Sequence, residues 1–127
     1  MQLLYGRKQK TILIIEDDQK VALGLAIRMK SAGYEAIMAH DALSGVRSAI
    51  RNRPDLVLLD ISMPAGNGFL VAERIQRNIP NPVPIIFLTA SRHPEFRQKA
   101  EEFGALAFFE KPYEPAELLA VIGEALV

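Results

Sequence analysis

The chain is predicted to fold as an α/β domain of five strand-then-helix units wound on both faces of one parallel sheet. Three observations carry that expectation. Apolar runs of four or five residues recur along the 127-residue chain, each too short for a helix and each ending on a polar or charged side chain. Stretches with apolar residues at helical spacing separate them, and Gly or Pro punctuates the joins. Strict alternation of this kind specifies parallel strands joined by right-handed helical crossovers.

Thr11–Ile15 is a β-branched apolar run that leads into Glu16, Asp17 and Asp18. A helix follows, with Asp18 as its N-cap. Ala22, Leu25, Ala26 and Met29 form the stripe that faces the sheet, and Gly33 ends the helix as a C′ glycine does. Residues 34–39 read as a second strand whose imperfect alternation suits an edge. His40 and Asp41 open a second helix, with Leu43, Val46, Ala49 and Ile50 expected on its buried side. Leu56-Val57-Leu58-Leu59 then runs directly into Asp60, and an unbroken apolar run suits a strand buried on both faces.

Pro64 stops that strand, and Ala65-Gly66-Asn67-Gly68 turns the chain. Phe69, Ala72, Ile75 and Gln76 mark a third helix, which the prolines of residues 78–84 cannot continue. Ile85–Thr89 is a fourth buried strand. Pro94 suits the first turn of a fourth helix, with Phe96, Ala100 and Phe103 inward and Gly104 at its end. Residues 105–109 read as the fifth strand, closed by Glu110-Lys111-Pro112. Pro115 begins a last helix with Leu118, Val121, Ile122 and Ala125 at i, i+3, i+4, i+7 spacing. Five such units favour the flavodoxin-like strand order 2-1-3-4-5, whose switch point lies between strands one and three.

The totals narrow the function. Residues 11–127 form one domain, large enough to bury a core without staples. Residues 1–10 read as a tail or as the end of a linker from an upstream domain, and 1–5 are too short for a signal h-region. Fifteen basic and fifteen acidic residues balance, which gives no reason to expect a polyanionic partner. The lack of Cys excludes a thiolate zinc site, a redox pair and disulfides, and fits a reducing cytoplasm. No apolar run has the length of a membrane span.

The predicted order brings Glu16, Asp17 and Asp60 together at the carboxyl ends of neighbouring strands, about 4.8 Å apart. Three crowded acids raise one another's pKa unless a cation joins them. Mg²⁺ suits them best, because it takes one or two carboxylates, keeps waters and accepts phosphate oxygens. Thr89 and Lys111 end strands four and five at the same rim, where they offer the hydroxyl donor and the ammonium that a phosphoryl group on Asp60 requires. Ala90 leaves room beside them. Taken singly, each residue has a plainer reading: Asp17 and Asp18 as helix caps, Thr89 as a strand end, Lys111 as a solvated lysine. Ile27, opposite the buried stripe of helix one, is a candidate contact for a docking helix. His40 and His93 read as turn or cap residues.

Four motifs in order carry a resemblance: Ile-Leu-Ile-Ile-Glu16-Asp17, Leu-Val-Leu-Leu-Asp60-Ile-Ser-Met-Pro-Ala-Gly-Asn-Gly, Phe-Leu-Thr89-Ala90 and Phe-Phe-Glu-Lys111-Pro112-Tyr. Over residues 11 to 127 the chain resembles the receiver domain of two-component response regulators, in the CheY-like superfamily. The resemblance implies that Asp60 is the phosphoacceptor. It implies Mg²⁺, or Mn²⁺ in its place, on Asp17, Asp60 and the backbone carbonyl of Ser62, with Glu16 reaching the ion through water. Many members of the family carry Asp at the position of Glu16.

By the same resemblance Thr89, Ala90 and Lys111 contact the phosphoryl group, and the Lys111-Pro112 bond is cis. Thr89 and Phe108 form the switch pair, and Ser62 and Ser91 tune phosphoryl lifetime. The implied partners are a histidine kinase or histidine phosphotransfer protein as donor, and a downstream effector or covalently linked output domain. Helix four, strand five and helix five form the responsive face, through which a homodimer can also assemble. No direct nucleic-acid or membrane contact is implied for this domain.

The resemblance makes the chain a switch that catalyses only its own phosphorylation and dephosphorylation. Two alternatives stand beside it. One is a receiver-like scaffold that binds without being phosphorylated. The other is a phosphatase of the haloacid dehalogenase type, although that class places a second acid two residues after its nucleophile, where this chain has Ser62.

Overall fold

The computed structural model describes residues 9–63 and 67–127. Five strands, β1 (Thr11–Ile15), β2 (Glu35–Ala39), β3 (Leu56–Asp60), β4 (Ile85–Thr89) and β5 (Ala107–Glu110), alternate with five helices. These are α1 (Gln19–Ser31), α2 (Ala42–Asn52), α3 (Gly68–Arg77), α4 (Pro94–Phe103) and α5 (Pro115–Ala125). The strands form one parallel sheet in the order β2-β1-β3-β4-β5. Strand order reverses between β1 and β3, the switch point expected for the 2-1-3-4-5 order.

Every residue of β3 and β4 is buried, which explains their continuous apolar runs. The edge strands β2 and β5 are only partly covered. Side chains alternate across the sheet and feed two separate cores. Leu13, Ile15, Val57, Leu59, Ile85 and Phe87 pack with residues of α2, α3 and α4. Ile12, Ile14, Leu56, Leu58, Ile86 and Leu88 pack on the other face with Ala22, Leu25, Ala26 and Met29 of α1 and Leu118 and Ile122 of α5.

Local chemistry sets the helix ends. Asp18 accepts hydrogen bonds from the amides of Lys20 and Val21 at 2.9 and 3.1 Å. It thereby satisfies two donors that the first turn of α1 leaves free. Asp18→Ala is expected to cost about 1 kcal/mol, read as a lower urea midpoint with unchanged slope. Asp41 and Asn67 cap α2 and α3 in the same manner. The ring nitrogen Nδ1 of His93 accepts from Glu95 at the start of α4, so His93 is the cap residue its position suggested. Gly33 and Gly104 take positive φ after α1 and α4.

Some expectations need correction. In α2, Leu43 and Ile50 are not on the buried side: they are 61% and 38% exposed. Ala49 is buried and Val46 partly buried as expected, and Gly45 and Ala42 take the places assigned to Leu43 and Ile50 against the core. The cause is a close approach to the sheet: a Cβ on Gly45 would lie 2.8 Å from Cδ1 of Ile15. Ala125, expected inward on α5, is exposed at the last turn. β2 begins at Glu35 rather than 34, and β5 runs two residues later than expected at its start and one later at its end. Of the predicted tail, Gln9 and Lys10 are docked. The Gln9 amide donates to Gly33 O, and Lys10 O accepts from the Glu35 amide. Residues 1–8 and the Pro64-Ala65-Gly66 part of the predicted turn lie outside the described residues.

Candidate functional site

The carboxyl ends of β1, β3, β4 and β5 converge on one rim. Asp60 ends β3 and is 5% exposed, and Glu16, directly after β1, is also buried. Asp17 is exposed. One carboxylate oxygen from each lies within 4.8 Å of the others. The sequence-derived triad is therefore assembled by the fold.

Glu16 is held on every side. Its amide donates to Ala39 O, its carbonyl accepts from His40 Nδ1, and one carboxylate oxygen accepts from the Asp18 amide. The other accepts from Lys111 Nζ at 2.9 Å. Burial pushes the Glu16 carboxyl up to about 7; the Lys111 hydrogen bond opposes this, and the neighbouring Asp60 adds to it. Burial disfavours the Lys111 charge, but the bond to Glu16 and the charges of Asp60 and Glu16 outweigh it and hold the ammonium above its ordinary range. Lys111 Nζ also lies 3.7 Å from Asp60 Oδ2. The Lys111-Pro112 bond is cis, as expected.

Thr89 is wholly buried at the end of β4. Its Oγ1 accepts from the Ser91 amide at 3.0 Å and lies 2.9 Å from Ser62 Oγ. The Ser62 amide donates to Asp60 Oδ1 at 2.9 Å. Asp60, Ser62, Thr89 and Ser91 thus form one continuous hydrogen-bonded row, and Lys111 N–H donates to Thr89 O at 2.8 Å. Ala90, next to Thr89, is exposed and presents only a methyl group at the rim.

Phe108 is half-buried on β5, packed against the core under α4. The guanidinium of Arg97 sits 5.0 Å from its ring centroid, with Nη2 3.6 Å from Glu110. Sequence reading did not single out Arg97. Its spacing from Phe108 has meaning only once α4 lies along β5. Tyr113, which closes its motif without an assigned role, has its hydroxyl pKa raised by burial, and Phe109 packs against its ring. Ile27 is exposed on α1 together with Leu23, one turn earlier.

The acid set suits a hard divalent ion. Two oxygens bound to one Mg²⁺ stand at most roughly 4.2 Å apart, so a spread within 4.8 Å needs little closure. Two of the three acids are buried, with one ammonium beside them, and an added cation offsets the burial and the Asp60 charge that raise the Glu16 carboxyl.

A doubly wound α/β domain with an acidic pocket at its topological switch point, flanked by a strand-end threonine and lysine, is therefore defined by fold and site alone. Comparison with known proteins supplies the family. Residues 12–123 match the model of the response regulator receiver domain, and the chain belongs to that family. It is a signal-transduction domain of two-component systems.

Among curated relatives, the phosphate regulon transcriptional regulatory protein PhoB of Pseudomonas aeruginosa is 34% identical over 112 residues, covering 87% of this chain and 49% of that protein. The transcriptional regulatory protein PrrA of Mycobacterium tuberculosis is 36% identical over 115 residues, covering 91% and 49%. The chain spans about half the length of these curated relatives. A CheY-like receiver domain protein from Methanospirillum hungatei superposes with a TM-score of 0.85 at 28% identity, covering 92% of this chain and 93% of that one. The BeF3-activated N-terminal receiver domain of Klebsiella pneumoniae RstA gives 0.83 at 26%, covering 92% and 98%.

Proposed function

We propose that this domain is a phosphorylation switch whose input is Asp60. The observation that carries the proposal is the placement of a buried carboxylate within reach of one ammonium and two further acids, with the buried Thr89 hydroxyl joined to it through Ser62. Asp60 attacks the phosphorus of a donor phosphohistidine in line. The new bond is P–O to an Asp60 oxygen, and the broken bond is P–N to the donor imidazole, which leaves with the electron pair and takes up a proton. Lys111 neutralises charge on the transferring group. Asp17, Asp60 and the Ser62 carbonyl, with Glu16 through water, would hold Mg²⁺ or Mn²⁺, which supplies charge neutralisation for the phosphoryl oxygens.

The product is an acyl phosphate that carries about −1.5 to −2 charge, the range of a phosphoryl group on a side chain, on the rim that Thr89 shares. Movement of Thr89 towards it vacates space for Phe108, whose ring is covered on its outer side by Arg97 of α4. An inward turn of Phe108 breaks that cation–π contact and loosens Arg97 from Glu110. The α4-β5-α5 face then presents a changed surface to an effector, an output domain or a second copy. A histidine kinase or phosphotransfer protein is the donor, with exposed Leu23 and Ile27 of α1 available to it. The domain acts as a stoichiometric acceptor in the cytoplasm rather than as a turnover enzyme.

Acetyl phosphate with Mg²⁺ is expected to add one phosphoryl group, seen by intact-protein mass spectrometry and absent from Asp60→Asn. No adduct on the wild type would favour the scaffold alternative, and an adduct that survives the substitution would refute Asp60 as the acceptor. Sustained turnover of a small phosphoester would favour the phosphatase.

A further inference from the structure

Thr89 Oγ1 has one proton and one bond already accepted from the Ser91 amide. Its contact with Ser62 Oγ at 2.9 Å gives that proton an acceptor when Thr89 donates, the arrangement that suits a buried hydroxyl beside one that can turn its own proton to water. The two ends of this contact differ. Ser62 is exposed, so water replaces any partner it loses. Thr89 is 0% exposed, so its hydroxyl must find protein or phosphoryl oxygen. Ser62 is moreover tied through its amide to Oδ1 of Asp60.

We infer that the Ser62 side chain is a latch: it occupies the Thr89 hydroxyl in the unphosphorylated state and competes with the phosphoryl group for it. This rests on Asp60 being the phosphoacceptor. Ser62 is then a positioning residue that acts through Thr89, a role separate from its backbone carbonyl. Phosphorylation works on both ends of the latch, since it changes the carboxylate that orients Ser62 and offers Thr89 a charged acceptor, a stronger partner than a neutral hydroxyl.

The test is a double-mutant cycle read as the dissociation constant for beryllofluoride in saturating Mg²⁺, across wild type, Ser62→Ala, Thr89→Val and the double variant. Removing the Ser62 hydroxyl leaves the backbone intact and frees Thr89. The expected result is about 3- to 10-fold tighter binding, the range of one neutral hydrogen bond. Ser62→Thr restores wild-type affinity, and Ser62→Ala has no effect in the Thr89→Val background. Unchanged or weaker binding by Ser62→Ala, or the same gain without the Thr89 hydroxyl, overturns the latch.

A second readout needs no phosphoryl mimic. In metal-free protein, three-bond NMR couplings should report one Thr89 χ1 rotamer in the wild type and averaging in Ser62→Ala. A single rotamer retained in the variant overturns the latch. A wild type that binds no beryllofluoride refutes the acceptor role of Asp60 instead, and the couplings still decide the Ser62–Thr89 contact.

Discussion

Lys111→Met is expected to slow phosphoryl uptake from acetyl phosphate by about 100- to 1,000-fold, the usual cost of removing one positioned donor from a developing charge. The same change should be visible without any phosphodonor. Glu16 has its carboxyl pushed up to about 7 by burial, against an ordinary 4.5, while Lys111 opposes the shift. Between those values the native state holds a proton that the unfolded chain has lost, so stability falls as pH rises through the window. Below about 4.5 the contribution is fully present, and above about 7 it is lost. Without the ammonium the native carboxyl stays protonated to higher pH, so the decline extends upward. Urea midpoints of metal-free protein across pH 4 to 9 measure both slopes, and Glu16→Gln should flatten them. Saturating Mg²⁺ should also flatten the wild-type slope, because a bound cation favours the ionised acids. A decline that levels off at the same pH in wild type and Lys111→Met would contradict the role assigned to the Glu16–Lys111 pair.

Gly68→Ala is expected to destabilise the fold by about 3 kcal/mol, at the upper end for overpacking a tight site. A Cβ at Gly68 would stand 2.6 Å from Cα of Ile61 and 3.3 Å from the carbonyl oxygen of Asp60. Those are backbone atoms of the strand end that carries the site, so α3 must move away or Asp60 must shift. Phosphoryl uptake should therefore fall along with the denaturation midpoint. Gly45→Ala is the internal comparison. The atoms nearest its Cβ would be side-chain atoms of Ile15, and replacing a mid-helix Gly gains about 1 kcal/mol of helix propensity. Its net cost should be the smaller by at least 1 kcal/mol on these estimates. Equal losses for the two variants would show that side chains here are as unyielding as backbone.

These two glycines also show where sequence reading reached and where it stopped. All five strands, their order and the meeting of Glu16, Asp17 and Asp60 were legible, because short apolar runs punctuated by caps, Gly and Pro leave few topologies. The face of α2 was not. Leu43, Val46, Ala49 and Ile50 keep helical spacing as well as Ala42, Gly45, Val46 and Ala49 do, and the choice is made by Gly45 seating on Ile15. The same holds for the Ser62–Thr89 contact, 27 residues apart, and for Arg97 over Phe108. Such contacts belong to tertiary geometry and leave no periodic trace. The candidate site was legible because its members sit at strand ends, which parallel topology aligns; how they pair was not.

The sheet that separates Leu13, Val57 and Phe87 on one face from Ile14, Leu58 and Leu88 on the other divides the chain's substitutional freedom in two. Consecutive strand residues answer to different neighbours, so each face can be refilled by volume-conserving exchanges without consulting the other. A chain built this way can change many side chains and keep the sheet on which its rim is mounted.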